Sequence, residues 1–135
     1  MADHPNIIIA RRLLQGIADG HDPDEVAALF APDVLFEIPG DEGVLPWIGH
    51  STGREAVASF LRDQRALTEP VSFEVDDILV SDARVAIVGR LEVRIKKTGR
   101  LAASAFAIVL TIAGGAVTCF QMLEDSFDVS KAARP

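Results

Sequence analysis

Residues 71–127 read VSFEVDDILVSDARVAIVGRLEVRIKKTGRLAASAFAIVLTIAGGAVTCFQMLEDSF. Four apolar and β-branched runs, Val71 to Val80, Ala83 to Lys96, Leu101 to Ile112 and Ala116 to Phe127, are divided by Ser81-Asp82, Thr98-Gly99 and Gly114-Gly115. Each divider is a short turn signal, so the spacing predicts an antiparallel meander of long strands. The third run is alanine-rich and has the composition of a buried helix. Its β-branched C-terminal half and flanking glycine turns favour a central strand.

Upstream the period is helical. Ile7, Ile8, Ala10, Leu13, Leu14 and Ile17 recur at helix spacing, with Arg11, Arg12 and Gln15 between them. Asp22-Pro23-Asp24-Glu25 reads as an N-cap, a proline in the first turn and an acid that can bond back, opening a short second helix through Phe30. Ala31-Pro32-Asp33 stops it, and Val34 to Ile38 is a strand ending at Pro39-Gly40. Residues 39–50 read as a loop. Thr52-Gly53-Arg54-Glu55 is a second capping box, with Val57, Phe60, Leu61 and Gln64 on one face of a third helix. Helices first and strands afterwards predict α+β architecture, a curved antiparallel sheet with helices on one face.

Composition narrows the function. The chain has 135 residues, 49% of them hydrophobic and 24% charged, enough for a core without disulfides or structural metal. No repeat or linker divides it, so one domain over 1–135, with its core at about 7–130, is expected. Cys119 stands alone and fits a reducing cytoplasm. His4, His21 and His50 are the only imidazoles, and no CxxC, HxxxH or HExxH spacing offers a zinc site. No secretory signal is read at the start, and Leu101 to Ala113 is too short for a membrane span of about 20 residues. A net charge of −7 argues against nucleic-acid binding, which rests on Lys and Arg neutralising phosphates. Arg84, Arg90, Arg94, Lys96, Lys97 and Arg100 read as a solvated strand face. Without GxSxG, Walker or GxGxxG signatures, no cofactor is implied.

Three short helices with an early strand, then the long meander, resemble the cone-shaped nuclear-transport-factor-2-like fold. Phe30-Ala31-Pro32-Asp33-Val34, Trp47-Ile48-Gly49, Gly53-Arg54-Glu55-Ala56-Val57 and Gly115-Ala116-Val117 leading to Glu124-Asp125-Ser126 are similar to its SnoaL-like, or polyketide-cyclase-like, branch. The resemblance implies three N-terminal helices packed on the concave face of the sheet, an apolar pocket for one small molecule, and a homodimer through the outer sheet face. That superfamily includes ketosteroid isomerases, scytalone dehydratases, limonene-epoxide hydrolases, polyketide cyclases and members that only bind, so the fold alone fixes no reaction. The chain has no tyrosine, and the tyrosines of the first three enzymes have no counterpart here.

The resemblance aligns Asp125 with the acid/base aspartate of SnoaL-like cyclases. On a period-two strand Val117, Cys119, Gln121, Leu123 and Asp125 share one face, and Thr118, Phe120, Met122, Glu124 and Ser126 the other. If the first set faces the pocket, Gln121, Leu123 and Asp125 line it. A carboxyl desolvated there would have a raised pKa and could move a proton alpha to a carbonyl; at the strand end it could equally sit in water or cap a helix. Glu37, opposite in parity to Phe36 and Ile38, faces either pocket or solvent. His50, in the loop after Trp47, could assist, as imidazoles titrate near neutrality, or be a solvated loop residue. Trp47, Phe36 and Phe60 read as apolar walls. Arg90 would hold an oxyanion if inward, but basic neighbours Arg94 and Lys96 at the same parity favour an outward position. Cys119 reads as core filler. The expected function is cofactor-independent isomerase, cyclase or dehydratase chemistry on an apolar carbonyl compound, with Asp125 as acid/base and His50 or Glu37 assisting; the alternative is a non-catalytic binder of a hydrophobic metabolite or a dimeric structural module.

Overall fold

Pro5 lies in the first turn of α1 (Pro5–Ala18), where a missing N–H costs nothing, and His4 Nδ1 accepts the Asn6 N–H at 3.1 Å. The Asn6 side-chain amide donates to the carbonyls of Ser81 and Asp82 at 3.2 and 3.1 Å, fastening this helix to a strand–strand turn. Asp22 caps α2 (Pro23–Ala27) by accepting the Asp24 N–H at 2.8 Å. A third helix, α3 (Arg54–Leu67), buries Val57, Ala58, Phe60 and Leu61. This computed structural model describes residues 4–40 and 42–135, apart from the side chains of Ser126 and Phe127.

Among the described residues one curved sheet contains β1 (Phe30–Ile38), β2 (Gly49–Thr52), β3 (Thr68–Val80), β4 (Arg84–Ile95), β5 (Leu101–Ala113) and β6 (Ala116–Glu124), in the order β2-β1-β6-β5-β4-β3. β3 to β6 form the antiparallel meander, while β1 joins β6 in parallel. Gly114 and Gly115, at φ +59° and +79°, turn the β5–β6 hairpin in the left-handed pair that right-twisted strands favour. The architecture is α+β, with α1 to α3 against the inner face.

Three local readings are corrected. α2 stops at Ala27 and β1 begins at Phe30, whose ring is fully buried and whose backbone lies opposite Val117. Residues 49–52, which begin within the expected 39–50 loop and run to the expected cap at Thr52, pair with β1 as a strand too short to show alternation. The last run leaves the sheet after Glu124: Asp125 accepts the Asp128 N–H at 3.1 Å and caps a fourth helix, α4 (Ser126–Ala133). That capping residue followed by an acid three positions later is a helix start.

A fourth difference decides the site. Thr111 pairs with Cys119 but Ile112 pairs with Val117, so Thr118 is an extra residue in β6 and the ladder carries a bulge. Strict alternation is broken there. Val117, Phe120, Met122 and Glu124 consequently lie on the inner face, and Cys119, Gln121 and Leu123 on the outer.

The main core fills the space between α1, α2, α3 and the inner face with Leu13, Val26, Phe30, Phe36, Leu61, Leu110 and Phe120 among others. Burying each such large side chain contributes about 1.5–3 kcal/mol. A smaller cluster of Leu45, Ile48, Ile95, Ala102, Val129, Ala132 and Ala133 packs α4 and the segment before β2 on the sheet. Trp47 and Val93 touch both clusters.

Candidate active site

On the inner face four aromatic side chains form a chain of contacts. Phe36 stacks on Phe120 with centroids 4.9 Å apart and planes 8° from parallel, and lies 5.1 Å from Phe60; Trp47 meets Phe60 edge-on at 5.8 Å. Four strands supply the floor: Val75, Gly89, Phe106 and Glu124 are register partners across β3, β4, β5 and β6. Gly89 keeps this row flat. A Cβ there would lie 2.9 Å from Phe106 Cζ and collide with the Glu74 carbonyl oxygen, so Phe106 extends across the glycine to stack on Phe73 at 4.9 Å.

Glu124 ends that row. The inner positions of β4 (Val85, Ile87, Gly89, Leu91, Val93, Ile95) and β5 (Ala102, Ser104, Phe106, Ile108, Leu110, Ile112) carry no ionisable group. Its carboxyl has no hydrogen bond or ion pair with any described residue. Burial among apolar neighbours, and secondarily the negative charge of Asp125, push it from 4.5 to about 7. A carboxyl in that range holds its proton in about half of the molecules at neutral pH and can both donate and accept one.

The residues singled out in the sequence divide between the two faces. Phe36, Phe60 and Trp47 are on the inner side. Glu37, His50 and Gln121 do come together, but on the outer face, where β2, β1 and β6 align them in one row. Gln121 Nε2 donates to Glu37 Oε2 at 2.9 Å, and His50 Nδ1 is 3.5 Å from Glu37 Oε1 with its side chain 72% exposed. Leu123 is exposed on that same face. Cys119 is half-buried there, its thiol pushed up by desolvation and then by Glu37, with Arg84 pulling the other way. Asp125 is exposed and committed to the α4 cap rather than turned inward. Arg90 also faces outward, 3.2 Å from Glu74 and 3.7 Å from Asp76. The bulge at Thr118 puts Glu124 on the inner face, and Asp125 follows it at the α4 cap. Counting alternation back from the large apolar pair Phe120 and Met122, instead of forward from Val117, would have turned Glu124 inward.

Three of the other basic side chains of residues 84–100 are spent locally. Arg94 donates to the Gly99 carbonyl at 2.8 Å, Lys96 to that of Arg65 at 3.3 Å and Arg100 to that of Arg134 at 2.6 Å. Among the described residues no group of three or more His, Cys, Asp or Glu could hold a metal ion, and no helix is long and apolar enough to cross a membrane.

Comparison with known proteins agrees with this architecture. The family model described as a SnoaL-like domain matches residues 10–120. An uncharacterised protein of Mycobacterium tuberculosis is 31% identical over 120 residues, 87% of each chain. A nuclear-transport-factor-2-like protein of Burkholderia xenovorans superposes with a TM-score of 0.87 at 24% identity, over 99% of both chains. TerC, co-crystallised with polyporic acid, superposes at 0.80 with 20% identity, over 96% of this chain and 98% of its own.

Proposed function

The chain belongs to the SnoaL-like family, and on that footing we propose that it is a cofactor-independent acid/base catalyst, an isomerase or cyclase acting on an apolar carbonyl compound, with Glu124 as the proton-transfer group. One observation carries the reading: a single unpaired carboxyl, desolvated beside Phe106 and Met122, on a sheet face otherwise free of charge. Trp47, Phe36, Phe60 and Phe120 would supply the apolar walls, and the complex of TerC with polyporic acid is a precedent for a small organic ligand in this fold. In its ionised form Glu124 takes the proton from the carbon next to a substrate carbonyl, and the C–H electron pair flows toward the carbonyl oxygen to give an enolate. Returning that proton to another carbon completes an isomerisation. Attack of the enolate carbon on a second carbonyl, with the proton delivered to the new alkoxide, completes a cyclisation. A reducing cytoplasm suits the free thiol of Cys119.

The test is hydrogen–deuterium exchange at the alpha carbon of aromatic and polycyclic ketones in D2O, followed by NMR, with wild type and Glu124→Gln. Compounds selected by thermal shift should exchange with wild type and lose that exchange on substitution. Compounds that bind equally to both proteins without exchange would make this a binding protein instead.

We also propose a homodimer through the outer sheet face. Leu35, Val88, Leu101 and Leu123 are 48%, 36%, 46% and 47% exposed there, around Ala103, Ala105 and Ala107. An apolar sheet face of that kind is ordinarily covered. The row His50, Glu37 and Gln121 would supply a polar element that fixes its register.

A further inference from the structure

β3 is the long open edge of the sheet. It pairs only with β4, while β2 at the other edge spans four residues. Half of the backbone N–H and C=O groups of such a strand point away from its neighbour and can receive another extended chain. Pro70 and the bulge at Val71 close the first end, and residues 72–80 continue beyond them with a second bulge at Asp76. The register with β4 gives the two sides of this edge different chemistry. Phe73, Val75, Ile78 and Val80 lie opposite Leu91, Gly89, Ile87 and Val85, on the inner side. Glu69, Glu74, Asp77 and Leu79 lie opposite Arg94, Arg90, Val88 and Ala86, on the outer side. Apolar surface is left open along this edge: Val71, Phe73, Val75, Leu79 and Val80 are all exposed, Phe73 at 49% although its ring stacks on Phe106. Lysine commonly blunts an edge of this length, but β3 carries neither Lys nor Arg.

We propose that the free edge of β3 receives an extended segment of a partner protein in which apolar and basic residues alternate. On either side of the bulge, a strand added beside β3 follows its pleat. Every second side chain then lies next to Phe73, Val75, Ile78 or Val80, and those between lie next to Glu74 or Asp77. The first set calls for Val, Ile or Phe and the second for Lys or Arg. Arg90 already meets Glu74 and Asp76 at 3.2 and 3.7 Å, whereas Glu69 and Asp77 make no ion pair with any described residue. The edge therefore has negative charge left to match. A second copy of this chain fits poorly for the same reason. Antiparallel pairing of β3 with itself would set the outer-side acids of both copies along one seam, and like charges side by side destabilise a strand pair. Strand addition here uses the backbone edge and leaves the outer sheet face free, so it is independent both of the homodimer and of Glu124.

The probe is a fluorescent peptide of about nine residues alternating Val and Lys, long enough to run beside residues 72–80. Its control is the same peptide N-methylated at alternate backbone nitrogens, which keeps the charge and blocks strand addition. In anisotropy titrations the unmodified peptide should bind about tenfold or more tightly than the methylated one, because several backbone hydrogen bonds are lost in the latter. Amide exchange followed by NMR should slow at β3 when the peptide is added and stay unchanged at β2. Asp77→Lys, at an exposed position, should weaken binding by about fivefold, and a peptide alternating Val and Glu should not bind. Equal binding of the two Val and Lys peptides, or binding without protection of β3, would reduce the effect to attraction by a net negative protein and overturn the proposal. Absence of binding would overturn it too. Protection of β3 that grows with protein concentration alone, without peptide, would assign the edge to a second copy and likewise overturn it.

Discussion

Glu124→Gln should make the protein's stability less sensitive to pH, in a direction that the burial of this carboxyl fixes. Its pKa stands at about 7 in the folded chain against 4.5 for the free side chain. Because the folded value is the raised one, the folded state binds more protons than the unfolded state between those limits. The contribution is therefore fully present below pH 4.5 and is lost as pH rises through 7. At about 1.4 kcal/mol per pH unit, that shift gives a loss of about 2–3 kcal/mol between pH 5 and pH 8. Glutamine has nearly the same shape and no proton to lose. Urea unfolding of both proteins at pH 5, 6, 7 and 8 isolates the effect, since every other ionisable group is common to both and cancels in the difference. The variant should gain on wild type by about 2–3 kcal/mol across that range. A difference that stays flat with pH, or that changes in the opposite direction, would show that Glu124 is hydrated or paired, and the site would lose its proton-transfer group.

Gly89→Ala should destabilise by about 3 kcal/mol or more, because the added methyl would collide with the Glu74 carbonyl and β3 backbone must move to admit it; a melting temperature within about two or three degrees of wild type would contradict that contact. Phe120→Ala removes a buried ring from the stack on Phe36 and should cost about 3–5 kcal/mol in chemical denaturation, weakening ligand binding as well. Arg90→Ala should change stability by less than about 1 kcal/mol, since its pairs with Glu74 and Asp76 are exposed; a larger loss would mean that the outer face is buried in an assembly. Leu123→Lys should convert a dimer to monomer in light scattering with little change in the monomer's fold, and a dimer that persists would move the interface off this face.

The parts of this fold legible in the sequence are those fixed by local chemistry. Asp22-Pro23 starts a helix wherever it is placed, and Gly114-Gly115 supplies two left-handed residues that fit a two-residue hairpin. The parts that were not legible depend on a partner. β2 is four residues whose strand character comes from pairing with β1, and Phe30 is drawn into β1 by burial although the helix upstream reads through it. The start of α4 lay within reach, since Asp125 and Asp128 have the spacing of a capped first turn, but the strand pattern before them overrode it.

Face assignment failed at one residue. Thr118 has nothing in its chemistry that marks a bulge; its hydroxyl donates to the Thr111 carbonyl at 3.2 Å, a contact that exists only once β5 and β6 are paired. Period-two reasoning carries an offset of one residue undiminished to the end of a strand, so a bulge near the β5–β6 turn separates Val117 from Cys119, Gln121 and Leu123 and puts Phe120, Met122 and Glu124 on its face instead. Two adjacent carboxylates, Glu124 and Asp125, consequently have different surroundings, one desolvated on the inner face and one capping a helix.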